Sequence, residues 1–377
     1  MNFNTQCIHG AKNDTHHTGA ISVPIYQSAT FVHPGVGVST GYDYSRLQNP
    51  TREALEALVA SLEQGRDCLA FSTGMAAITT MMELFHIGDH MIASNDLYGG
   101  TVRLFENISK KNGLHIDYVN TSNEFDVINH ITPQTKAIYI ETPSNPMMNV
   151  TDIKKISSIA KENNLIVIVD NTFLTPYFQK PLLLGADIVI HSGTKYLSGH
   201  NDTLAGFLVV KDEILSEKLR FIYKTTGACL SPMDSWLLIR GIKTLALRLK
   251  QSEENALKIA KWLEENKKIK KVYYIGLPTH PDHELSKQQA TGFGSMISFE
   301  VEDEEIAKSL LERVKIIQYA ESLGGIESLI TYPKLQTHAD VPLKERLERG
   351  INDGLLRFSV GIEHIDDLIK DLEQALA

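Results

Sequence analysis

The chain has 377 residues, 42% hydrophobic and 22% charged, the balance of an ordinary globular protein, and is long enough for two or three domains or one large domain with a satellite. With 37 Lys plus Arg against 46 Asp plus Glu its formal net charge is −9, which argues against a nucleic-acid binder, because displacing counterions from nucleic acid needs a basic face. No apolar run approaches the ~20 residues that span a bilayer, and MNFNTQCIHGAKND shows no secretory pattern, so no membrane partner is expected.

The first fifty residues are rich in Gly, Pro, Thr and His with little helical period. An irregular arm of that length is expected to be functional or docked on a partner. The pattern turns helical at NPTREALEALVASLEQ (49–64), where Leu55, Leu58, Val59 and Leu62 share a face and Pro50 suits the first turn. Strand-like runs follow: DHMIAS (89–94), KAIYIET (136–142), LIVIVD (165–170), DIVIHS (187–192) and GFLVV (206–210). Helical patterns such as TDIKKISSIAKENN (151–164) lie between most of them. Strands that are apolar on both faces and separated by helices predict an α/β protein with a parallel sheet covered on both sides. In such sheets ligands bind beyond the carboxyl ends of the strands, which puts Asp170 and residues 192–195 on the ligand side together.

DSWLLIRGIKTLALRLKQSEENALKIAKWLEENKKI (234–269) reads as one long helical stretch, weakened at Gly241, that joins the large domain to a smaller one. Beyond it, strand-like GSMISFEV (294–301) precedes helical DEEIAKSLLERV (303–314), then LLRFSVGI (355–362) and a final helix. Cys7, Cys68 and Cys229 make no CxxC pair, so a disulfide framework and a cysteine zinc site are not expected and a reducing cytoplasm is.

A buried strand thus delivers Ser192, Gly193, Thr194 and Lys195 to its carboxyl end, and three roles are open to the lysine: a solvated charge, a phosphate-binding group, or a covalent catalyst. The phosphate-loop spacing of Gly, four residues, then Gly-Lys-Ser/Thr is absent. GVGVSTG (35–41) has its third glycine misplaced for a dinucleotide fingerprint, and no strand or helix flanks it. The two histidines of HPDH (280–283) are expected at the surface, and no metal is expected.

A lysine that forms a Schiff base with pyridoxal phosphate needs a carboxylate to keep the pyridine nitrogen protonated. Asp170 ends an apolar strand, where burial is costly unless a cation pairs with it. FSTGMAAITTMMELF (71–85) supplies a Gly-containing turn opening into a helix, with amides free to face a phosphate. Ser192 and Thr194 add hydroxyls, and Tyr98 in DLYGGT is available to stack on a ring.

From TGAISVPIYQSATF (18–31) to LLRFSVGIEH (355–364), essentially its whole length, the chain resembles the Cys/Met-metabolism (trans-sulfuration) family of pyridoxal-phosphate-dependent enzymes. The motifs that carry the resemblance are YDYSRLQNPTR (42–52), STGMAAI (72–78), DLYGGTVRLF (96–105), ETPSNP (141–146), VDNTF (169–173), HSGTKYLSGHND (191–202) and AESLGGIESLITYP (320–333). The resemblance implies an aspartate-aminotransferase-like (type I) α/β fold. Its mostly parallel central sheet would carry helices on both faces, beside a smaller C-terminal α/β domain. The parts would be an arm over 1–52 that contacts a neighbouring subunit, a cofactor-binding domain over 53–245 and a small domain over 246–377.

It further implies that Lys195 holds the cofactor and shuttles protons, that Asp170 pairs with the pyridine nitrogen, and that Tyr98 stacks on the ring and assists as acid or base. Gly74, Met75, Ser192 and Thr194 would hold the phosphate, while Tyr44 and Arg46 would reach the phosphate of a neighbouring subunit in a homotetramer of active-site-sharing dimers. Arg357, with Ser322 and Asn145, would bind the substrate α-carboxylate, a bidentate task suited to a guanidinium.

Within the family, Glu321 stands where γ-synthases and γ-lyases carry an acidic residue, and it, Asp43 and Arg103 would meet the distal polar groups of substrate. Leu323 stands where one type of β-lyase has an aromatic, and Leu47 stands where some γ-synthases have a second arginine. The expected reaction is therefore a cystathionine γ-synthase-like γ-replacement of an O-acylhomoserine, acetyl favoured over succinyl, by cysteine. The alternatives are a cystathionine γ- or β-lyase, an O-acetylhomoserine sulfhydrylase, and a non-catalytic relative that only binds the cofactor. Intact Lys195, Asp170, Tyr98 and Arg357 argue against the last.

Overall fold

The structure, a computed structural model, describes residues 1–11, 19–337, 339 and 343–377, so Thr18 at the head of the 18–31 motif lies outside the described residues. Seven strands make the larger sheet: β1 (Asp67–Phe71), β2 (His90–Ser94), β3 (His115–Val119), β4 (Thr135–Glu141), β5 (Ile166–Asp170), β6 (Ile188–Ser192) and β7 (Gly206–Val210). Their order is β1-β7-β6-β5-β4-β2-β3. The pairs from β3 across to β6 are parallel. β7 runs antiparallel to both β6 and β1, so the expected parallel sheet is mixed at one side. The physical reason is the short return. Residues 193–205 hold turns and no crossover helix, and without a crossover a chain comes back antiparallel.

The five strands read from the sequence appear within a residue or two of their expected ends. β1 and β3 were not expected. β3, HIDYV, is an edge strand whose outward residues are polar, so it lacks the continuous apolar run that marks its neighbours. The helix expected over 49–64 spans Pro50–Glu63, and its N-cap Asn49 accepts from the Thr51 and Arg52 amides. Such a cap contributes about 1 kcal/mol.

Three readings need correction. The first fifty residues hold a helix, Phe3–His9, which buries Cys7 in the main core and is too short to show a period. The stretch expected as one long helix is two, Pro232–Ile242 and Leu245–Glu265. Gly241 lies near this break and packs closely, since a Cβ there would stand 2.3 Å from the Ser198 carbonyl oxygen in the turn after Lys195. His280 is buried rather than at the surface, and His283 stacks on Phe293.

The second sheet comprises β8 (Ile269–Tyr273), β9 (Met296–Val301), β10 (Gln318–Tyr319), β11 (Leu329–Thr331) and β12 (Leu355–Ser359), in the order β10-β11-β12-β9-β8. Helices Leu245–Glu265, Glu304–Arg313 and Ile365–Leu376 cover it with their apolar faces, and Phe299, Phe358, Leu310 and Leu372 share one buried cluster. Among the described residues no helix is long and apolar enough to cross a membrane. The carboxyl ends of β4, β5 and β6 face Arg357 of β12 and the loop before β11 across one cavity.

Candidate active site

The cavity has a volume of about 350 Å³. Three neighbouring strand ends bring Glu141, Asp170 and Ser192 to its floor, and the turn after β6 adds Thr194 and Lys195. That turn is fixed by main-chain bonds: the Lys195 amide donates to the Ser192 carbonyl (3.2 Å) and the Gly199 amide to the Lys195 carbonyl (2.8 Å). Gly193 is needed because a Cβ there would lie 2.5 Å from the Phe207 ring.

Lys195 Nζ donates to Ser322 Oγ at 2.8 Å. Burial, and then the nearby Arg357 guanidinium, push its pKa down to about 8, with Glu321 working the other way. A lysine held there is within reach of its neutral form near physiological pH, so it can act as nucleophile and base. A solvated charge would keep its ordinary value.

Asp170 Oδ1 accepts from both the amide (3.0 Å) and the hydroxyl (2.6 Å) of Thr172, which orients the carboxyl at the cavity floor. Burial raises its pKa while the two Thr172 bonds oppose the rise. The Thr172 hydroxyl also accepts from the Ser192 amide (2.9 Å), tying β5 to the Lys195 turn. Beside them, Thr73 caps the helix Gly74–Met82, its side chain accepting from the Ala76 amide at 2.9 Å. The first-turn amides of Gly74 and Met75 have no partner within the helix by geometry, and the helix dipole makes them a seat for an anion. A Cβ on Gly74 would stand 3.2 Å from Ser192 Cβ, narrowing the space between this seat and the Ser192 hydroxyl.

Across the cavity Arg357 is buried, donating to Asn145 Oδ1 (3.0 Å), the Ser322 carbonyl (3.1 Å) and Thr331 Oγ1 (3.1 Å). Its Nε has no partner, and burial pushes its pKa down to about 10. A buried guanidinium short of an anion is a natural receptor for a carboxylate.

The match to the family model of Cys/Met metabolism PLP-dependent enzymes runs over residues 4–377. The chain belongs to that family. It is 51% identical over 376 residues to a cystathionine γ-lyase of Bacillus subtilis (strain 168), covering 100% of this chain and 99% of that protein. It is 53% identical over 359 residues to a cystathionine γ-synthase/O-acetylhomoserine (thiol)-lyase of the same organism, covering 95% and 92%. Among solved structures, a cystathionine γ-lyase from Lactobacillus plantarum complexed with L-serine superposes with a TM-score of 0.97 at 47% identity, covering 100% and 98%. The fold is thus the type I fold expected, and the cofactor of this Cys/Met-metabolism enzyme is pyridoxal phosphate.

The cavity fits that cofactor. Helix-start amides stand by Ser192 and Thr194 for a phosphate, Asp170 stands at the floor for a ring nitrogen, and Tyr98 lies at the wall for a ring face. Gly100 makes room for Tyr98, since a Cβ there would stand 2.4 Å from its ring. Of the residues expected from the sequence, Lys195, Asp170, Tyr98, Gly74, Met75, Ser192, Thr194, Arg357, Ser322, Asn145 and Glu321 all line this cavity.

Four expected residues do not. Arg46 donates to the Lys224 carbonyl and lies over the Tyr44 ring at 5.5 Å, away from the cavity of its own chain. Asp43 pairs with His33 at 3.3 Å and accepts from Ser39 at 2.6 Å on the exposed arm. Arg103 lines a neighbouring cavity with Gly99, Lys110 and Tyr118. Sequence reasoning missed Glu141 and Thr172, which sit inside the motifs ETPSNP and VDNTF, each next to an apolar strand end. That position was the available signal.

Proposed function

We propose that the enzyme replaces the γ-substituent of an O-acylhomoserine, acetyl favoured, by cysteine to give cystathionine. The observation that carries this reading is the charge pattern of the cavity. Among its lining residues the cations are Lys195 and Arg357, and Glu321 stands beside Ser322 near Lys195. Arg357 suffices for one α-carboxylate, and among the described lining residues no cation besides Lys195 and Arg357 is available to the outer carboxylate of a succinyl ester. Leu47, in place of an arginine, agrees with that. Glu321 offers an anion to the ammonium of the incoming amino acid.

Pyridoxal phosphate, when bound, supplies a sink for the negative charge that develops on the substrate's α-carbon. The chain supplies the rest. Arg357, with Asn145 and the Ser322 carbonyl at fixed distances, would orient the α-carboxylate so that the Cα–H bond faces Lys195. Neutral Lys195 Nζ would take the α-proton and then a proton from Cβ as the γ-substituent leaves. It would return protons to Cβ and Cα once the cysteine sulfur, having lost its own proton, has bonded to Cγ; Ser322 Oγ would hold the amine in place between transfers. Asp170 would carry the negative charge opposite the ring nitrogen, and the Tyr98 hydroxyl would assist departure of the γ-substituent.

The subunit organisation belongs to the same proposal. The arm 1–52 would reach a neighbouring subunit, where Tyr44 and Arg46 would contact the phosphate site, in a tetramer of two active-site-sharing dimers. Residues 53–245 and 246–377 would form the two domains that close on the cavity. Support comes from Tyr44 and Arg46 lying away from the cavity of their own chain, on an arm that exposes Ile21, Val32 and Val36.

A second reading is cleavage of cystathionine at a C–S bond, favoured by the γ-lyase named among the relatives. Assaying cystathionine formation from cysteine with O-acetylhomoserine and with O-succinylhomoserine tests the first. The acetyl ester is expected to give at least about tenfold higher kcat/KM. Equal values would remove the argument from the missing cation.

A further inference from the structure

A second buried carboxyl stands beside Asp170. Glu141 and Asp170 are register partners on the parallel strands β4 and β5, so their side chains leave the same face of the sheet, and both line the cavity. Asp170 has two hydrogen bonds from Thr172. Glu141 has one partner of a different kind: its Oε2 accepts the Tyr98 amide at 2.9 Å, and no described ion pair includes it. Tyr98 is the N-cap residue of the helix Gly99–Leu104, and its own side chain makes no capping bond. The Glu141 carboxyl therefore sets where that helix begins and where the Tyr98 ring hangs over the cavity.

The surroundings decide its charge. Facing Glu141 are Asp170 on β5, Asp96 in the loop after β2, Arg357 on β12, Tyr139 on its own strand and the Tyr98 amide. Two acids and one guanidinium surround this buried group, and a like charge on the register partner disfavours a second anion beside the first. Burial and Asp170 push the Glu141 carboxyl well above its ordinary range; burial raises Asp170 as well, but there the two Thr172 bonds oppose the rise and favour the anion.

We propose that Glu141 is a positioning residue that works as a neutral acid: its Oε2 anchors Tyr98 at the cavity wall, and its lack of charge leaves Asp170 as the sole floor anion facing the cofactor's ring nitrogen. This rests on the reading of Asp170 and Tyr98 as cofactor residues. A second floor anion would draw a cation away from Asp170, and loss of the acceptor would leave the Tyr98 amide unpaired at the helix start.

The test compares Glu141→Gln, a neutral shape mimic that keeps an acceptor, with Glu141→Met, of similar volume but without one. Each holoenzyme is measured for melting temperature, for the dissociation constant of pyridoxal phosphate by titration, and for kcat and KM. Glu141→Gln is expected to keep cofactor affinity within about threefold and at least about a tenth of parental kcat. Glu141→Met is expected to weaken cofactor binding at least about tenfold and to lower kcat about 100-fold with KM changed far less. If the amide variant is as impaired as Glu141→Met, Glu141 is ionised or transfers protons and the proposal fails. If Glu141→Met matches the parent in affinity and kcat, Glu141 positions nothing and the proposal also fails. Should Glu141→Met melt early, the Gln variant still decides the charge state. The cofactor titration needs no substrate, so it gives its answer even if the parent proves not to make cystathionine.

Discussion

Lys195 and Ser322 meet across 127 residues of sequence: Nζ donates to Oγ at 2.8 Å, while the Ser322 carbonyl accepts from Arg357 at 3.1 Å. Ser322 holds this double contact at φ 103°, in the left-handed region that side chains seldom adopt. Such strain costs on the order of 1–3 kcal/mol and persists where the surroundings over-determine it. One residue thus links the amine to the carboxylate receptor. Ser322→Ala, which keeps the backbone but removes the hydroxyl, is expected to lower kcat about tenfold with little change in melting temperature. Steady-state kinetics and a melting curve check it.

Lys195→Ala removes both the amine and the base. Turnover is expected to fall at least ~10³-fold while the fold is retained, because Lys195 belongs to none of the buried hydrophobic clusters. Circular dichroism and product analysis separate the two effects. Turnover near the parental rate would end the assignment.

The pH dependence follows from the same amine. Burial and Arg357 hold Lys195 at about 8, and only its neutral form accepts a proton. Below that value the protonated fraction dominates, so kcat, which reports the substrate-bound enzyme in which the Lys195 amine is free, is expected to fall about tenfold per pH unit on the acid side and to level off above it. A profile flat from pH 6 to 9 would assign the α-proton to another base.

Close backbone approach around the phosphate seat yields a stability prediction. A Cβ on Gly206 would stand 2.2 Å from the Thr73 carbonyl oxygen and 2.7 Å from Gly74 Cα. Backbone cannot yield as a side-chain tip does, so Gly206→Ala is expected to cost about 1–3 kcal/mol and to weaken cofactor retention by displacing the Gly74 helix start. Denaturant unfolding and cofactor titration measure the two effects.

The sequence made the floor of the site legible because each chemical residue ends an uninterrupted apolar strand: Asp170 after IVIV, and Ser192 to Lys195 after IVI. A strand buried on both faces has one chemical meaning at its carboxyl end, and the family motifs added the names. What stayed illegible depends on tertiary partners. β3 is an edge strand with polar outward residues, and the reversal of β7 depends on how a turn closes. Glu141 looks like one more polar strand end until its register with Asp170 is known. Tyr44, Arg46 and Asp43 lie on the arm, and a single chain does not bring them to its own cavity.

The central claim, γ-replacement rather than cleavage, is tested most directly by product accounting on the purified holoenzyme. One reaction contains O-acetylhomoserine plus cysteine, the other contains cystathionine alone, and cystathionine, 2-oxobutanoate and pyruvate are quantified in both. Cystathionine formed in the first reaction, at least about tenfold faster than either oxo acid appears in the second, is the expected result. Rapid release of 2-oxobutanoate or pyruvate from cystathionine, with no cystathionine formed from the ester, would contradict it.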